Sequence, residues 1–296
     1  MKGFRERLRQ PLPAVVAAAL ALAGCAGGGV GQRASTAGAP APGASAVGRA
    51  DPSLAGDAPT TGAGVHGPVP ASIIKHGPRT RRWVALTFDA DMTRGMRAML
   101  RSGRVRGWYD AALFAELRAT RTPATIFLTG LWTRQYPEIV RGLARDQLFE
   151  LENHSLDHAG FLTPCYGLPT VSGQPSKRQE IAAARATIEH VAGVVPRYFR
   201  FPGGCQTQAD VRLVASYGER PVGWDVVSGD AFQPDPAPIV RAVLAGVQPG
   251  SIVVAHCVGA PNTPATAAAM TTIIPALRAR GYRFVTLRRL LSARSP

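Results

Sequence analysis

What most constrains this chain is the stretch Ala85 to Asp91 (ALTFDAD), a short apolar run that ends in two carboxylates. Val84, Leu86 and Phe88 alternate with Ala85, Thr87 and Asp89, and β-branched and aromatic residues in so short a run predict a strand. Residues i and i+2 of a strand point the same way, so Asp89 and Asp91 face one site at its end. Two carboxylates in one small space repel each other. A cation between them removes the conflict, as does a division of labour in which one is a base and the other binds metal.

Further ligands come from Leu151 to His158 (LENHSLDH). His154 and His158 are four apart, a spacing that predicts both imidazoles on one face of a helical turn, where they chelate a divalent ion. Arg200 to Gly204 (RFPGG) and Gly250 to His256 (GSIVVAH) again place polar groups at the ends of apolar strands. Ionisable residues gathered at the ends of several strands are the pattern of an α/β barrel active site.

The rest of the pattern fits such a barrel. Strands are expected at 124–129, 148–153, 198–201, 222–227, 251–255 and 283–286. Helices are expected at 109–120, 135–145, 176–191, 209–217, 238–247 and 265–280, with Ser176 as an N-cap. With the first strand that makes seven, and repeated βα units require parallel strands with right-handed crossovers. Seven such units suit a barrel, with a doubly wound sheet as the alternative.

The motifs together resemble the polysaccharide deacetylases of the NodB-homology type, carbohydrate esterase family 4. They are the aspartate motif at Thr87 to Asp91, His-Ser-x-x-His at His154 to His158, Arg-x-Pro at Arg200 to Pro202, a Trp-Asp segment from Trp224 to Asp230, and aliphatic-x-His ending at His256. The resemblance runs from about residue 80 to the C-terminus and implies an α/β fold, the distorted (β/α)7 NodB-like barrel that fits the strand count, removing acetyl groups from a polysaccharide. It makes Asp89 the general base, His154 and His158 metal ligands, Arg200 the group that holds Asp89, and His256 the general acid. Ala90 separates the family's usual adjacent aspartates, so the metal carboxylate becomes Asp91. Pro202, Gly203, Trp224, Asp225 and Asp230 are assigned to the substrate and oxyanion side, the backbone N–H near Gly203 binding the oxyanion. Val227 and Ala231 stand where relatives usually carry Asp and Trp. The partner of His256 is therefore Asp225 or Asp230. The implied cofactor is a divalent metal, zinc by default, although the same ligands accept cobalt or nickel.

This reading implies N-deacetylation of an envelope or extracellular glycan such as peptidoglycan or another N-acetylglucosamine polymer. O-deacetylation and an inactive glycan-binding protein on the same fold are the alternatives. The N-terminus gives the compartment. Lys2, Arg5, Arg7 and Arg9 precede an apolar core at 14–23, too short to span a membrane, and Leu22 to Cys25 (LAGC) matches a lipobox. Residues 1–24 then form a lipoprotein signal peptide, Cys25 carries the lipid, residues 25–70 are a Gly, Ala, Pro, Ser and Thr-rich linker, and 71–296 are the deacetylase domain. Ala26 lacks the aspartate of inner-membrane retention, which points to the outer membrane, facing the periplasm, with lipid as the only membrane contact. The formal net charge of +15, about +12 after cleavage, suits anionic surfaces. Export argues against nucleic acid. Five arginines between Arg94 and Arg106 form an insertion expected on the active-site rim. Cys165 and Cys205 are expected to pair, leaving Cys257 turned away from the metal. His66, His76 and His190 are read as linker or surface residues.

Overall fold

The computed structural model of the chain describes residues 72–292 apart from Ser172. The signal peptide, Cys25, the linker and His66 lie outside the described residues, and no helix among the described ones is long and apolar enough to cross a membrane. The strands are β1 (Trp83–Ala90), β2 (Ala124–Leu128), β3 (Phe149–Asn153), β4 (Tyr198–Phe199), β5 (Arg220–Pro221), β6 (Val226–Val227), β7 (Ser251–His256) and β8 (Arg283–Phe284). The helices are α1 (Arg94–Arg101), α2 (Ala111–Ala119), α3 (Gly130–Gln135), α4 (Pro137–Arg145), α5 (Gln174–Ala192), α6 (Gln208–Ser216), α7 (Pro236–Gly246), α8 (Thr266–Ala279) and α9 (Leu287–Ser292).

Alternation along β1 sets up two apolar layers. Val84, Leu86, Phe88 and Ala90 join the cluster shared with the helices, while Ala85 joins Phe127, Tyr198 and Ile252 in the interior. Asp89 has the parity of Ala85 and so belongs to the inner face. From α9, Leu287 and Leu290 enter the inner cluster, and the Leu287 N–H donates to Thr125 Oγ1 near the start of β2. The interior is thereby filled at the end opposite the carboxylates.

All the strand pairs are parallel, and neighbours run β5-β4-β3-β2-β1-β7-β6, with β8 paired to the start of β1. That is chain order taken round a circle and cut between β5 and β6. A doubly wound sheet would instead reverse direction at a switch point. The distorted barrel expected from the sequence is therefore the fold, opened at one seam.

The seam explains one departure. The single strand expected at 222–227 is two short ones, because Gly223 N–H turns to Ile74 O (2.8 Å) while Asp225 N–H reaches Ile252 O (3.2 Å). One segment thus divides its hydrogen bonds between two neighbours. Two short helices, α3 and α9, were not expected. Ser176 is inside α5 rather than capping it, since Gly173 holds the N-cap position. The arginine-rich insertion contains α1, capped by Thr93 Oγ1, and is pinned by fully buried Trp108, whose indole N–H donates to Met96 O (2.9 Å).

Candidate active site

Strand register gathers the site. Asp89 of β1 lies level with His256 of β7 on one side and with Phe127 of β2 on the other. Leu128 is level with Asn153, and Asn153 with Phe199, so His154 and Arg200 leave the sheet next to one another. Adjacent strands are about 4.8 Å apart, and side chains from four of them therefore meet over one mouth.

Asp91 Oδ1 is 3.3 Å from His154 Nε2 and 3.3 Å from His158 Nε2. His154 Nδ1–H donates to Arg200 O (2.8 Å), and because a carbonyl only accepts, the neutral ring turns its Nε2 lone pair toward Asp91. A lone pair and a carboxylate oxygen then face each other, and both atoms are buried without a hydrogen-bond partner among the described residues. The three ligand atoms lie within 4.8 Å of one another. One carboxylate and two imidazoles suit a borderline divalent ion and leave coordination positions open. These residues fit a catalytic metal.

The titration behaviour agrees. Burial pushes His158 down to about 4, so it is neutral and able to ligate. Burial opposes charge on His154 as well, but Asp89 and Asp91 outweigh it and raise its pKa. Asp91 resists the effect of burial because His158, His154 and His256 surround it, and its pKa falls below the usual carboxylate range.

On one side of this triad, Arg200 Nη1 donates to Asp89 Oδ1 (2.7 Å). The guanidinium is fully buried, sits 4.0 Å from the Phe127 ring centroid, and donates from Nη2 to Gly223 O (3.2 Å). On the other side, His256 Nδ1–H donates to Asp230 Oδ1 (2.8 Å), leaving Nε2 3.7 Å from Asp91 Oδ2. Asp230 also accepts from Ser228 Oγ, Thr266 Oγ1 and the His256 N–H. Burial works against a charged imidazole here, yet Asp230, with Asp91 and Asp89, carries His256 up to about 10.

Residues 76–222 match the polysaccharide deacetylase family. The chain is 30% identical over 182 residues to a chitooligosaccharide deacetylase of Bradyrhizobium sp., covering 57% of this chain and 78% of that one. The chain belongs to the polysaccharide deacetylase family. Membership carries the reaction class, hydrolysis of a non-peptide carbon–nitrogen bond. Among solved structures, a peptidoglycan N-acetylglucosamine deacetylase superposes with a TM-score of 0.63 at 23% identity, over 75% of this chain and 94% of that one. A CE4-family pseudoenzyme from Bacillus anthracis also gives 0.63, at 22% identity over 76% and 70%. At these identities the likeness is one of fold. The family match ends at residue 222, before Asp230 and His256.

In this deacetylase the two candidate ligand histidines do not share the helical turn that their spacing suggested. They lie in a loop in which Ser155 (φ 68°) and His158 (φ 61°) take left-handed backbone, costing of order 1 kcal/mol each. The surroundings hold that loop. Asn153 Oδ1 accepts the Ser155 N–H, Glu180 Oε2 of α5 accepts the N–H groups of Leu156 (2.9 Å) and Asp157 (3.1 Å), and Arg94 Nε donates to Asp157 Oδ2 (2.6 Å). The first amides of α3 complete the grip: Gly130 and Leu131 donate to Ser155 O and Leu156 O. Only glycine fits at 130, where a Cβ would come within 2.8 Å of Leu156 Cδ1 and 3.2 Å of Ala184 Cα. The sequence reading missed Glu180, Asn153 and Gly130. Thr129, whose Oγ1 accepts the Trp132 N–H, was the available signal for α3.

Asp225 is not at the site. Its carboxylate bonds Arg79, Ser251 Oγ and the Ile252 N–H at the start of β7, the far end of that strand from His256. Of the two candidates for the partner of His256, the structure brings Asp230. Trp224 lies 5.6 Å from the Arg200 guanidinium and packs on Gly204. Pro202 and Gly203 form a short turn against the Cys165–Cys205 disulfide; Gly203 has φ 60°, and a Cβ there would meet Cys165 Sγ at 2.8 Å. Cys257 is a free, buried thiol in the helix-facing core, as expected, and His76 and His190 are exposed.

Proposed function

We propose that this chain is a metal-dependent N-deacetylase of N-acetylglucosamine-containing glycans, chitooligosaccharide-like or peptidoglycan-like, anchored in the cell envelope. The observation that carries the reading is the pair of imidazoles facing one oxygen of Asp91, flanked by Arg200-bound Asp89 and Asp230-bound His256. Asp91, His154 and His158 would hold a divalent ion, which when bound acts as a Lewis acid on the amide carbonyl and acidifies the nucleophilic water. Asp89 takes the proton as water attacks the carbonyl carbon. Arg200 fixes that carboxylate in place through one oxygen and leaves the other to take the proton. As the carbon–nitrogen bond breaks, His256 Nε2 gives its proton to the departing amine, which keeps the amine from re-attacking. Asp230 sets the tautomer and supports the charged ring.

The turn at Pro202 and Gly203 is the proposed oxyanion side, and Trp224 a wall of the sugar groove. The pseudoenzyme on this fold makes the inactive reading concrete, but the complete acid, base and ligand set favours an enzyme. The anchor rests on Leu22 to Cys25, and localisation to the outer membrane rests on Ala26. Purified protein loaded with zinc, cobalt or nickel should release acetate from N-acetylglucosamine oligomers, and a chelator should abolish release until metal is restored. Metal-loaded protein that liberates nothing from N-acetylated glycan, or that cleaves only O-acetyl esters, would overturn the proposal.

A further inference from the structure

Beside the catalytic cluster lies a second cavity of about 720 Å³. Its wall includes Arg104, Arg106 and Tyr109 from the chain after β1, Tyr136 from the α3–α4 junction after β2, and Val258 and Pro261 after β7. Each of these segments follows the end of a strand that carries or adjoins the site, so the cavity opens on the same end of the barrel. Val258 is two residues from His256, at most about 7 Å along the chain. No carboxylate lines the cavity. Neither the Arg104 nor the Arg106 side chain has an ion-pair or hydrogen-bond partner among the described residues, and there is no acidic residue between Met92 and Tyr109 to supply one. Arg94, by contrast, is tied to Asp157.

Two unpaired guanidiniums in a wall that also holds two half-buried tyrosine rings make a specific chemical combination. The planar fork of arginine matches a carboxylate, and an aromatic face takes the C–H face of a sugar. We propose that this cavity is an accessory binding site for a carboxylate carried on a sugar neighbouring the one that is deacetylated. The proposal rests on the glycan reading above and names the substituent that the deacetylase prefers. Exposed pairs contribute about 0.2–1 kcal/mol each, so two of them shift affinity by roughly two- to thirty-fold at low salt. The preference fades as salt shortens the screening length.

The test uses full-length, metal-loaded protein and two N-acetylglucosamine oligomers, one bearing lactyl carboxylates and one with those carboxylates amidated. KM is read from acetate release, and binding from calorimetric titration. Wild type should favour the carboxylated oligomer, and R104Q/R106Q should reduce that ratio by roughly two- to thirty-fold at low salt and far less near 0.5 M. R97Q/R101Q, which removes the same charge away from the cavity, should reduce it much less. Equal effects of the two double variants, or no preference in wild type, would overturn the accessory site. If wild type releases no acetate from either oligomer, the deacetylase reading fails on its own. The titration then decides the cavity, where equal binding by wild type and R104Q/R106Q sinks it.

Discussion

The catalytic mouth and the arginine rim are both charged, and they lie within a few residues of each other along the chain, yet they are built on opposite rules. In the mouth the charges are out of water: Arg200 answers Asp89 and His256 answers Asp230, while one oxygen of Asp91 faces two imidazoles without a hydrogen bond. At the rim Arg101, Arg104 and Arg106 are exposed, and their side chains have no partner among the described residues. A desolvated charge is strong, directional and costly to strand, so each residue there has a separate task. Solvated charges are weak and interchangeable unless something holds their ligand in place. The cavity around Arg104 and Arg106 supplies that at the rim.

The contrast breaks first at the two aspartates. Asp89→Asn should lower kcat by about 10²- to 10⁴-fold while bound metal is retained, and Asp91→Ala should lose the metal itself. Metal content measured beside turnover separates them, and equal loss of metal in both variants would erase the division of labour. A smaller effect is expected one layer out. Glu180→Ala removes the acceptor for two loop amides and should weaken metal affinity by about 10- to 100-fold in folded protein. Both amides meet a single oxygen, so Glu180→Gln keeps an acceptor and should bind metal within a few-fold of wild type. If Gln is as damaging as Ala, charge rather than loop geometry sets the ligands.

The smallest effect concerns a carboxylate that the interior answers only in part. Burial carries Glu219 up to about 8, although Asn153 Nδ2 (3.1 and 3.0 Å) and Arg185 (3.3 Å) bond it. Between the ordinary glutamate value, about 4.3, and 8, the folded chain keeps a proton that the unfolded chain has lost, so stability falls as pH rises through that window. Relative to Glu219→Gln, wild type should lose about 1.4 kcal/mol for each pH unit inside it, read from denaturant midpoints. A parallel pH profile in the two proteins would mean that Glu219 is already ionised in the fold.

What the sequence disclosed follows the same physics. β1, β2 and β7 were legible because their apolar runs are long enough to show a period, and the residues at their ends inherit that register. The 222–227 segment was not, since its residues read as one strand while their hydrogen bonds go to two partners. That break also hid the role of Asp225: it and Asp230 stand at comparable spacing from the barrel, and only the seam decides which end of β7 each reaches. His154 and His158 were expected together and do converge on Asp91, but on the wrong backbone, because an i, i+4 spacing is common to a helical turn and to a tight loop. Glu180 gave no local sign. Its partners are backbone amides more than twenty residues upstream, invisible to any pattern of side chains.

β1 is bonded along both edges, to β2 and β7, and at its start to β8. The strand that presents Asp89 and leads into Asp91 is thus among the best supported in the barrel. Small zinc domains collapse into order only when their ion arrives, and so keep it for the life of the fold. In this barrel the paired strands and their apolar layers supply the packing, so the proposed ion would be exchangeable: a chelator should strip it and leave the fold intact. Which metal returned would then be a matter of supply around the protein rather than of its folding.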